Sequence, residues 1–196
     1  MLLDPENGKP LIDWSLKLAL EMELRPVVIS RFEKTLLNSY LSQKEGVELL
    51  LIENSREWPD TILKSSSHWG DVNLMLLPDT RFARRELIRD LVLSCETGVD
   101  LSFGIFKTSE NLGAWGVLEW NATKLRICEK PRAYLANEMS APWGLIAFRK
   151  EVGVKLFSDL LKSNQTHDWF DWSGSHSRFA LLYFKDITRK ASDLEF

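Results

Sequence analysis

Two aspartates stand where apolar segments of the sequence end, and aspartate is a residue that can bind a divalent cation. Asp79 follows the run Asn73–Leu77 through Pro78, and Asp186 follows the segment Arg178–Lys185. If both segments are strands of one sheet, the two carboxylates can together hold a cation that bridges phosphate oxygens. The alternative for each aspartate is an N-cap of the helix that follows it.

A second pair of charged side chains, Glu129 and Lys130, also follows a predicted strand. The Glu129 carboxylate can accept hydrogen bonds from sugar hydroxyls, and the Lys130 ammonium can pair with a phosphate as a point charge. The alternative is a solvated charge pair at a turn made by Pro131.

Two tryptophan–glycine pairs mark candidate contacts between backbone and ligand. Gly116 follows Trp115 and Gly144 follows Trp143, each at the start of a predicted strand. A glycine in a strand often marks a close approach of the backbone to a ligand. The alternative is a β-bulge packed against the neighbouring tryptophan.

A turn that enters a helix is the last candidate. It contains Trp58, Pro59 and Asp60, and its backbone can contact a planar nucleotide base. The alternative is a plain N-cap by the Asp60 carboxylate.

The elements that position these residues alternate along the first half of the chain. Apolar spacing predicts helices and strands in alternation, which favours crossover units and a largely parallel sheet, with ligands at the carboxyl ends of its strands. Segments 47–52 and 73–77 are continuously apolar, which predicts strands that are buried on both faces. Predicted helices cover residues 10–22, 33–42, 61–66, 83–95 and 151–161, with a short one after 185; predicted strands cover 27–30, 47–52, 73–77, 100–107, 114–120, 124–129, 143–148 and 178–185; residues 163–177 are a predicted loop.

Composition bounds the class of protein. The 196 residues carry a net charge of −3 and 44% hydrophobic residues, which argues for one globular domain and against binding of nucleic acid by a basic surface. The apolar runs fall short of a membrane span, and the first residues do not form a signal peptide. The two cysteines and three histidines have neither disulfide nor metal-ligand spacing, so we expect a cytoplasmic protein. Because the apolar runs are short, we expect no membrane contacts.

Taken in order, six segments resemble the sugar-1-phosphate nucleotidylyltransferases, the group that includes glucose-1-phosphate thymidylyl- and uridylyltransferases. They cover nearly the whole chain. The resemblance implies a Rossmann-like three-layer α/β/α nucleotide-diphosphosugar transferase fold, with a mixed, mostly parallel sheet, over a single domain of residues 1–196. The segments are Gly8–Trp14, Leu76–Asp79, Trp115–Leu118, Glu129–Pro131, Trp143–Leu145 and Asp186–Thr188.

The resemblance also implies an activity. Enzymes of this family join a nucleoside triphosphate to a sugar 1-phosphate and release pyrophosphate, by in-line attack of the sugar phosphate on the α-phosphorus. Catalysis is then positioning and charge neutralisation. By resemblance, Asp79, Lys130 and Asp186 are catalytic, the two aspartates hold Mg²⁺, Glu129 binds sugar hydroxyls and Lys130 binds the sugar phosphate.

The same resemblance assigns the remaining substrate contacts. The backbone at Gly116 and Gly144 lines the sugar pocket, and the turn Trp58–Thr61 lies near the base. Trp143 stands where the family has a small residue, which is expected to narrow the sugar pocket. The resemblance leaves assembly into a homo-oligomer open, since relatives often assemble.

The sequence departs from the family at its beginning. The family opens with a strand, a Gly-rich loop with an arginine and a Pro-Lys pair, and this sequence starts just past them. The difference is about 20 residues, enough for a strand of about 5–6 residues and a long loop. The domain is thus expected to be N-terminally incomplete relative to the family, with backbone donors and apolar surface exposed where a central strand is missing.

Two other functions compete with the enzyme. One is a non-catalytic relative that binds a sugar nucleotide or a partner subunit. The other is a metal-dependent glycosyltransferase of related fold, which usually carries two acids one residue apart, whereas Asp79–Arg81 supplies one.

Overall fold

A computed structural model describes most of the chain, with gaps around several loops and both termini. It contains five α-helices in the described part: α1 Ile12–Glu21, α2 Thr35–Leu41, α3 Trp58–Lys64, α4 Arg85–Glu96 and α5 Lys150–Ser163. A 3₁₀ turn spans Ser66–His68. The described residues are 3–4, 7–78, 80–82, 85–107, 115–121, 124–131, 140–163, 169–172, 178–184 and 187–189.

Eleven strands lie in the same residues. They are β1 Val27–Arg31, β2 Glu48–Ile52, β3 Val72–Leu76, β4 Thr80–Phe82, β5 Leu101–Phe106, β6 Gly116–Trp120, β7 Leu125–Glu129, β8 Ser140–Arg149, β9 Phe170–Trp172, β10 Phe179–Phe184 and β11 Ile187–Arg189.

Strand β8 is the centre of the main sheet. It pairs antiparallel with β3 on one side and with β5 on the other, and β5 pairs parallel with β10. Strands β3, β5 and β10 therefore run in one direction and β8 runs against them. An antiparallel extension of β6, β7 and β9 continues from residues 140–142 of β8. The predicted mixed α/β sheet is confirmed. Five of its seven described strands run in one direction, but β5 with β10 is the parallel pairing among its described strands and the other five pairings are antiparallel.

Helices cover both faces of this sheet. The side chains of β8 alternate between the two faces, as in any strand. Leu145 and Ala147 pack with residues of α1 and α4, such as Leu18 and Leu91. Ile146 and its neighbours on the other face pack with residues of α3 and α5. The structure thus has the predicted three layers, helices on either side of a sheet.

The core of the α3–α5 face is aromatic. Phe157 of α5 is fully buried, and its ring makes edge contacts with Trp58 at 5.8 Å, Trp69 at 6.0 Å and Phe148 at 5.3 Å between ring centroids. Such distances and angles are typical of stabilising aromatic pairs. Helix α5 approaches β8 closely here, because a Cβ atom at Gly153 would lie 2.3 Å from the Phe148 ring.

The pair β1–β2 forms a small sheet of its own. The two strands are parallel and joined through α2, a crossover unit of the predicted kind. Among the described strands, β1 has β2 as a partner on one edge and no partner on the other, and β3 is paired in the same way with β8. The prediction of full burial for segments 47–52 and 73–77 is wrong, because nearly all residues of β2 and β3 are only half-buried.

Three short strands were not predicted. Residues 170–172 form β9 inside the predicted loop, and β11 at 187–189 stands where a terminal helix was expected. Strand β4 precedes α4, which begins at Arg85, so the alternative that Asp79 caps this helix is wrong. Three residues are too few to show a hydrophobic period, and β4 and β11 form by pairing with each other across the chain.

No helix in the described part of the chain combines the length and apolarity needed to cross a bilayer.

Candidate functional site

The hairpin of β6 and β7 joins the first two predicted substrate segments. Gly116 lies directly opposite Glu129 in the antiparallel register. The backbone N–H of Lys130 donates a hydrogen bond of 3.0 Å to the carbonyl of Trp115. Residues 115–116 and 129–130, on the two strands of this hairpin, are therefore cross-strand neighbours.

The third segment reaches the same place through a β-bulge in β8. Ile105 of β5 pairs with Trp143 and Gly104 pairs with Leu145, so Gly144 is the extra residue on β8. A bulge re-aims the side chains beside it. The alternative of a β-bulge at this Trp–Gly pair therefore describes the local structure. The bulge turns the Trp143 indole towards β6.

The indole of Trp143 fills the space against the backbone of Gly116. A Cβ atom placed on Gly116 would lie 2.5 Å from Trp143 Nε1 and 2.9 Å from Glu129 Oε2. Trp143 is only 6% exposed, and no described residue accepts a hydrogen bond from its Nε1. A glycine is needed at position 116 because any larger residue would collide with the indole. The group that lies close to the Gly116 backbone is therefore a protein side chain.

Substitution of Gly116 by alanine is expected to lower the free energy of unfolding by about 1–3 kcal/mol, because the added methyl group overpacks the Trp143 contact. In a Trp143→Ala background the same substitution is expected to cost less than about 1 kcal/mol. Urea denaturation of the wild type, both single variants and the double variant measures this coupling. An equal cost of Gly116→Ala in both backgrounds contradicts the contact.

Glu129 ends β7, and Lys130, the next residue, has an unusual backbone conformation. Lys130 has φ +53°, in the left-handed region that residues with a Cβ rarely adopt. The Glu129 side chain is half-buried and Lys130 is exposed. Backbone strain of this kind occurs frequently at ligand-binding sites, which supports a functional interpretation of this pair.

Trp58 joins the site, but as part of the core and not of a turn. It is the first residue of α3, and its ring lies 6.0 Å from that of Trp143 and 5.8 Å from that of Phe157. Pro59 is buried in the first helical turn, where its fixed φ suits the helix. The prediction of a turn at Trp58–Thr61 is therefore wrong, because the helix starts at Trp58, earlier than expected, with Pro59 in its first turn.

Asp60 serves the start of α3. Its carboxylate accepts a hydrogen bond of 2.9 Å from the backbone N–H of Arg56 and pairs with Lys64 at 3.4 Å. The hydrogen bond from Arg56, followed by the contact with Lys64, lowers the pKa of the Asp60 carboxyl below its ordinary value. The N-cap position itself belongs to Glu57, so Asp60 stabilises the helix from within its first turn.

Asp60→Ala is expected to lower the free energy of unfolding at neutral pH by about 0.5–1 kcal/mol, through loss of this charge at the helix start. Because the pKa is lowered in the folded state, the contribution is complete above the ordinary value of 3.8 and is lost as the pH falls below it. Urea denaturation at several pH values tests this. Asp159→Ala, which removes a partner of Lys155 in α5, is the matched control; a pH-independent difference for Asp60→Ala contradicts the assignment.

The two predicted metal ligands, Asp79 and Asp186, lie outside the described residues. Their neighbours are described: Thr80 begins β4 and Ile187 begins β11, and the two strands pair antiparallel. Thr80 and Ile187 stand at opposite ends of this ladder, about 7 Å apart along the strands. The fold thus joins the segments that follow both aspartates. Within the described part of the chain, no group of three or more His, Cys, Asp or Glu is placed to hold a metal.

One buried carboxylate was not singled out from the sequence. Asp4 is 1% exposed, and its carboxylate accepts a hydrogen bond of 2.8 Å from the Asn7 side chain. Its backbone N–H donates to the carbonyl of Lys9 at 2.7 Å. Asp and Asn three residues apart before a glycine are a recognisable turn signal, and this turn leads the chain into α1.

Thiol chemistry at Cys95 is not available to the site. Cys95 is fully buried in α4, and burial raises the pKa of its thiol to about 11. The thiolate, which is the reactive form, is therefore scarce at neutral pH.

Comparison with solved structures defines the class of fold. The chain matches the inositol-1-phosphate CTP transferase of Thermotoga maritima with a TM-score of 0.67 and 13% identity, over 96% of this chain and 80% of that one. It matches a mannose-1-phosphate geranyltransferase from Thermus thermophilus with a TM-score of 0.64 and 14% identity, over 93% and 66% of the two chains. A UDP-glucose pyrophosphorylase from Acinetobacter baumannii gives 0.62 and 10% identity, over 93% and 78%.

These likenesses show that the chain has the fold of sugar-phosphate nucleotidyltransferases, as the sequence resemblance implied. The chain spans about two thirds of the length of the Thermus protein. No protein-family model matches the sequence. No curated protein matches it either.

Proposed function

We propose that this protein is a nucleotidyltransferase that joins a nucleoside triphosphate to a sugar 1-phosphate, giving a nucleoside diphosphate sugar and pyrophosphate. One observation carries the proposal: the three segments 115–116, 129–130 and 143–144, which the resemblance assigns to the sugar and its phosphate, are neighbours on β6, β7 and β8. The likeness of the fold to two transferases and a pyrophosphorylase supports it.

Glu129 and Lys130 have separate tasks in this proposal. The half-buried Glu129 carboxylate accepts hydrogen bonds from hydroxyl groups of the sugar and fixes its orientation. The exposed Lys130 ammonium lies next in the chain and neutralises the phosphate that attacks the α-phosphorus. An anionic nucleophile and an anionic triphosphate repel each other, so a cation between them lowers the barrier to their approach.

Asp79 and Asp186 are proposed to hold Mg²⁺. The donor set suits this ion, because two carboxylates supply the hard oxygen ligands that Mg²⁺ prefers. The proposal rests on the sequence resemblance; the pairing of β4 with β11 does not carry it, because Thr80 and Ile187, the residues next to the two aspartates, stand at opposite ends of that ladder. When bound, Mg²⁺ supplies positive charge to the phosphate oxygens.

The experiment is release of pyrophosphate by the full chain with Mg²⁺, a panel of nucleoside triphosphates and a panel of sugar 1-phosphates. Asp79→Asn and Asp186→Asn are expected to abolish the release. Asp90→Asn, an exposed aspartate on α4, is the control and should retain it. Release that survives both Asp79→Asn and Asp186→Asn contradicts the metal site. The absence of release with every substrate pair contradicts the enzyme.

A non-catalytic protein of this fold that binds a sugar nucleotide or a partner subunit is the second candidate. The packing of Trp143 against Gly116 favours it, because the indole takes up space beside the proposed sugar contacts. Binding of a nucleotide sugar without pyrophosphate release, measured by equilibrium dialysis, supports this candidate.

A further inference from the structure

We infer that the space between the free edges of β1 and β3, which we call the β1–β3 cleft, binds an extended apolar segment of a partner polypeptide. The bound segment adds a strand and joins the small β1–β2 sheet to the main sheet. The inference goes beyond the proposed reaction and does not depend on it. Two observations carry it: β1 and β3 each have a free edge among the described strands, and the fold turns these edges towards each other.

The order of the crossovers places β3 on the free side of β1. Strand β1 leads through α2 to β2, and α2 lies beside α1, where the Tyr40 hydroxyl donates a hydrogen bond of 2.6 Å to the Asp13 carboxylate. Strand β2 leads through α3 to β3, and α3 packs on the opposite face of the sheet, with α5. Right-handed crossovers on opposite faces carry the chain in opposite directions across a sheet. The second crossover therefore leads from β2 back past β1, so the free edge of β1 faces that of β3.

Helix α1 holds the two sheets together on one face of the cleft. The Ser15 hydroxyl of α1 donates a hydrogen bond of 3.2 Å to the carbonyl of Leu77, the residue that follows β3. From the preceding residues of the same helix, Asp13 is bonded to α2 of the β1–β2 unit. One helix thus contacts both sides of the cleft.

The segment from α3 to the 3₁₀ turn does the same on the other face. Trp58 of α3 packs against Trp143 of β8, with 6.0 Å between ring centroids. His68 of the 3₁₀ turn lies 2.6 Å from the Glu48 carboxylate, at the start of β2. The two sheets therefore lie in one layer between shared helices, although no described strand of one pairs with a strand of the other.

The rims of the cleft define the backbone of the occupant. Each rim is a strand of five residues, and its outer row of N–H and C=O groups has no strand partner in the described part of the chain. Residues 27–29 of β1 and all of β3 are only half-buried, although helices cover both faces. An extended backbone between the rims can form hydrogen bonds with both rows at once.

The covering helices define the side chains of the occupant. Leu74 of β3 packs with the α1–α4 face and Met75 packs with the α3–α5 face, so β3 is apolar towards both layers. A strand beside β3 is covered by the same layers, and a charge placed there would be buried without a partner. The cleft therefore fits about five consecutive residues that are apolar on both faces, as in other strands between two layers of helices.

The occupant is a different polypeptide and not a second copy of this chain. Each of the eleven described strands is already paired within the chain. A second copy would have to break one of these pairings to supply a strand, whereas an extended segment of a partner can bind without that loss.

The experiment is selection of peptides on the full chain, followed by amide hydrogen exchange. Each peptide carries two terminal lysines around five positions drawn from valine, isoleucine and phenylalanine; a matched library has proline at the central position, which cannot donate a backbone hydrogen bond. Selected peptides are expected to slow exchange in both β1 and β3 and to bind about tenfold more tightly than their proline counterparts, through the hydrogen bonds they add. Strand β10 also has a free edge among the described strands and is the control, because its exchange should not change.

A charge in the rim tests the position. Val28→Asp is expected to weaken peptide binding about tenfold or more, because the half-buried carboxylate would face an apolar strand. Val154→Asp makes the same change at an exposed position of α5 and should leave binding unchanged. If Val28→Asp fails to fold, as judged by circular dichroism, the comparison with the proline peptides remains decisive.

Four results would overturn the inference. They are the failure of every apolar peptide to slow exchange in both β1 and β3, equal slowing in β10, equal binding of the proline peptides, and slow exchange at both rims in the protein alone. The last result means that another segment of this chain or a second copy fills the cleft.

Discussion

Lys130→Met is expected to lower kcat/KM for pyrophosphate release by about 10²–10³-fold, because it removes the cation proposed to neutralise the attacking phosphate. The Lys130 side chain is exposed, so its loss should leave the fold intact. The backbone supports the assignment: φ of +53° at Lys130 is a conformation retained against steric cost, held by the hydrogen bond from its N–H to the carbonyl of Trp115. Steady-state kinetics with the best substrate pair measures the effect.

Lys124 provides the matched control for this prediction. It is an exposed lysine beside the other end of β7, where its backbone N–H bonds to the Asn121 side chain. Lys124→Met changes net charge by the same amount and should keep kcat/KM within about twofold. A loss of equal size in both variants indicates a general charge effect and contradicts a specific role for Lys130.

The largest effect on stability is expected from Phe157→Ala, which should lower the free energy of unfolding by about 3–5 kcal/mol. Phe157 is fully buried, and its ring contacts Trp58, Trp69 and Phe148. Its removal leaves a cavity whose walls are rigid rings, which can close around the void only in part. Because domains of this kind are stable by about 5–15 kcal/mol, the variant is near the threshold of folding. Urea denaturation followed by circular dichroism measures the change.

Val154 on the same helix is the control for Phe157. Its side chain is 39% exposed, so Val154→Ala removes few buried apolar contacts. The substitution should change the free energy of unfolding by about 0.5 kcal/mol or less. If Phe157→Ala costs no more than Val154→Ala, the aromatic cluster does not stabilise the α3–α5 face.

Most of the fold could be predicted because its longer elements carry a clear period. In α4, Ile88, Leu91 and Cys95 recur at helical spacing and are the buried residues of that helix. Segment 143–148 was predicted as a strand and is the centre of β8. Strands β4, β9 and β11 could not be predicted, since three residues show no period and their partners are distant in sequence.

That the predicted substrate segments lie side by side was easier to predict than which side chain packs against them. The spacing of Gly116 and Glu129 on two strands joined by a short connection implies a hairpin, and the register places them opposite each other. That Trp143 turns onto Gly116 depends on the bulge at Gly144, and a bulge depends on how two distant strands fit. The start of α3 differs from the sequence prediction because proline suits both a turn and the first turn of a helix, and Pro59 occupies the latter.

The separation of β1–β2 from the main sheet has a consequence for motion. The strands of this unit, β1–α2–β2, are mostly half-buried. Some of its contacts with the rest of the protein are polar, such as Glu48 with His68 and Tyr40 with Asp13. Segments with few enclosed apolar contacts open locally, without global unfolding. Backbone amides of β1 and β2 should therefore exchange their hydrogens well before those of the fully buried β5. Unfolding is therefore expected to begin in the β1–α2–β2 unit, and β5 and β8 are expected to open last.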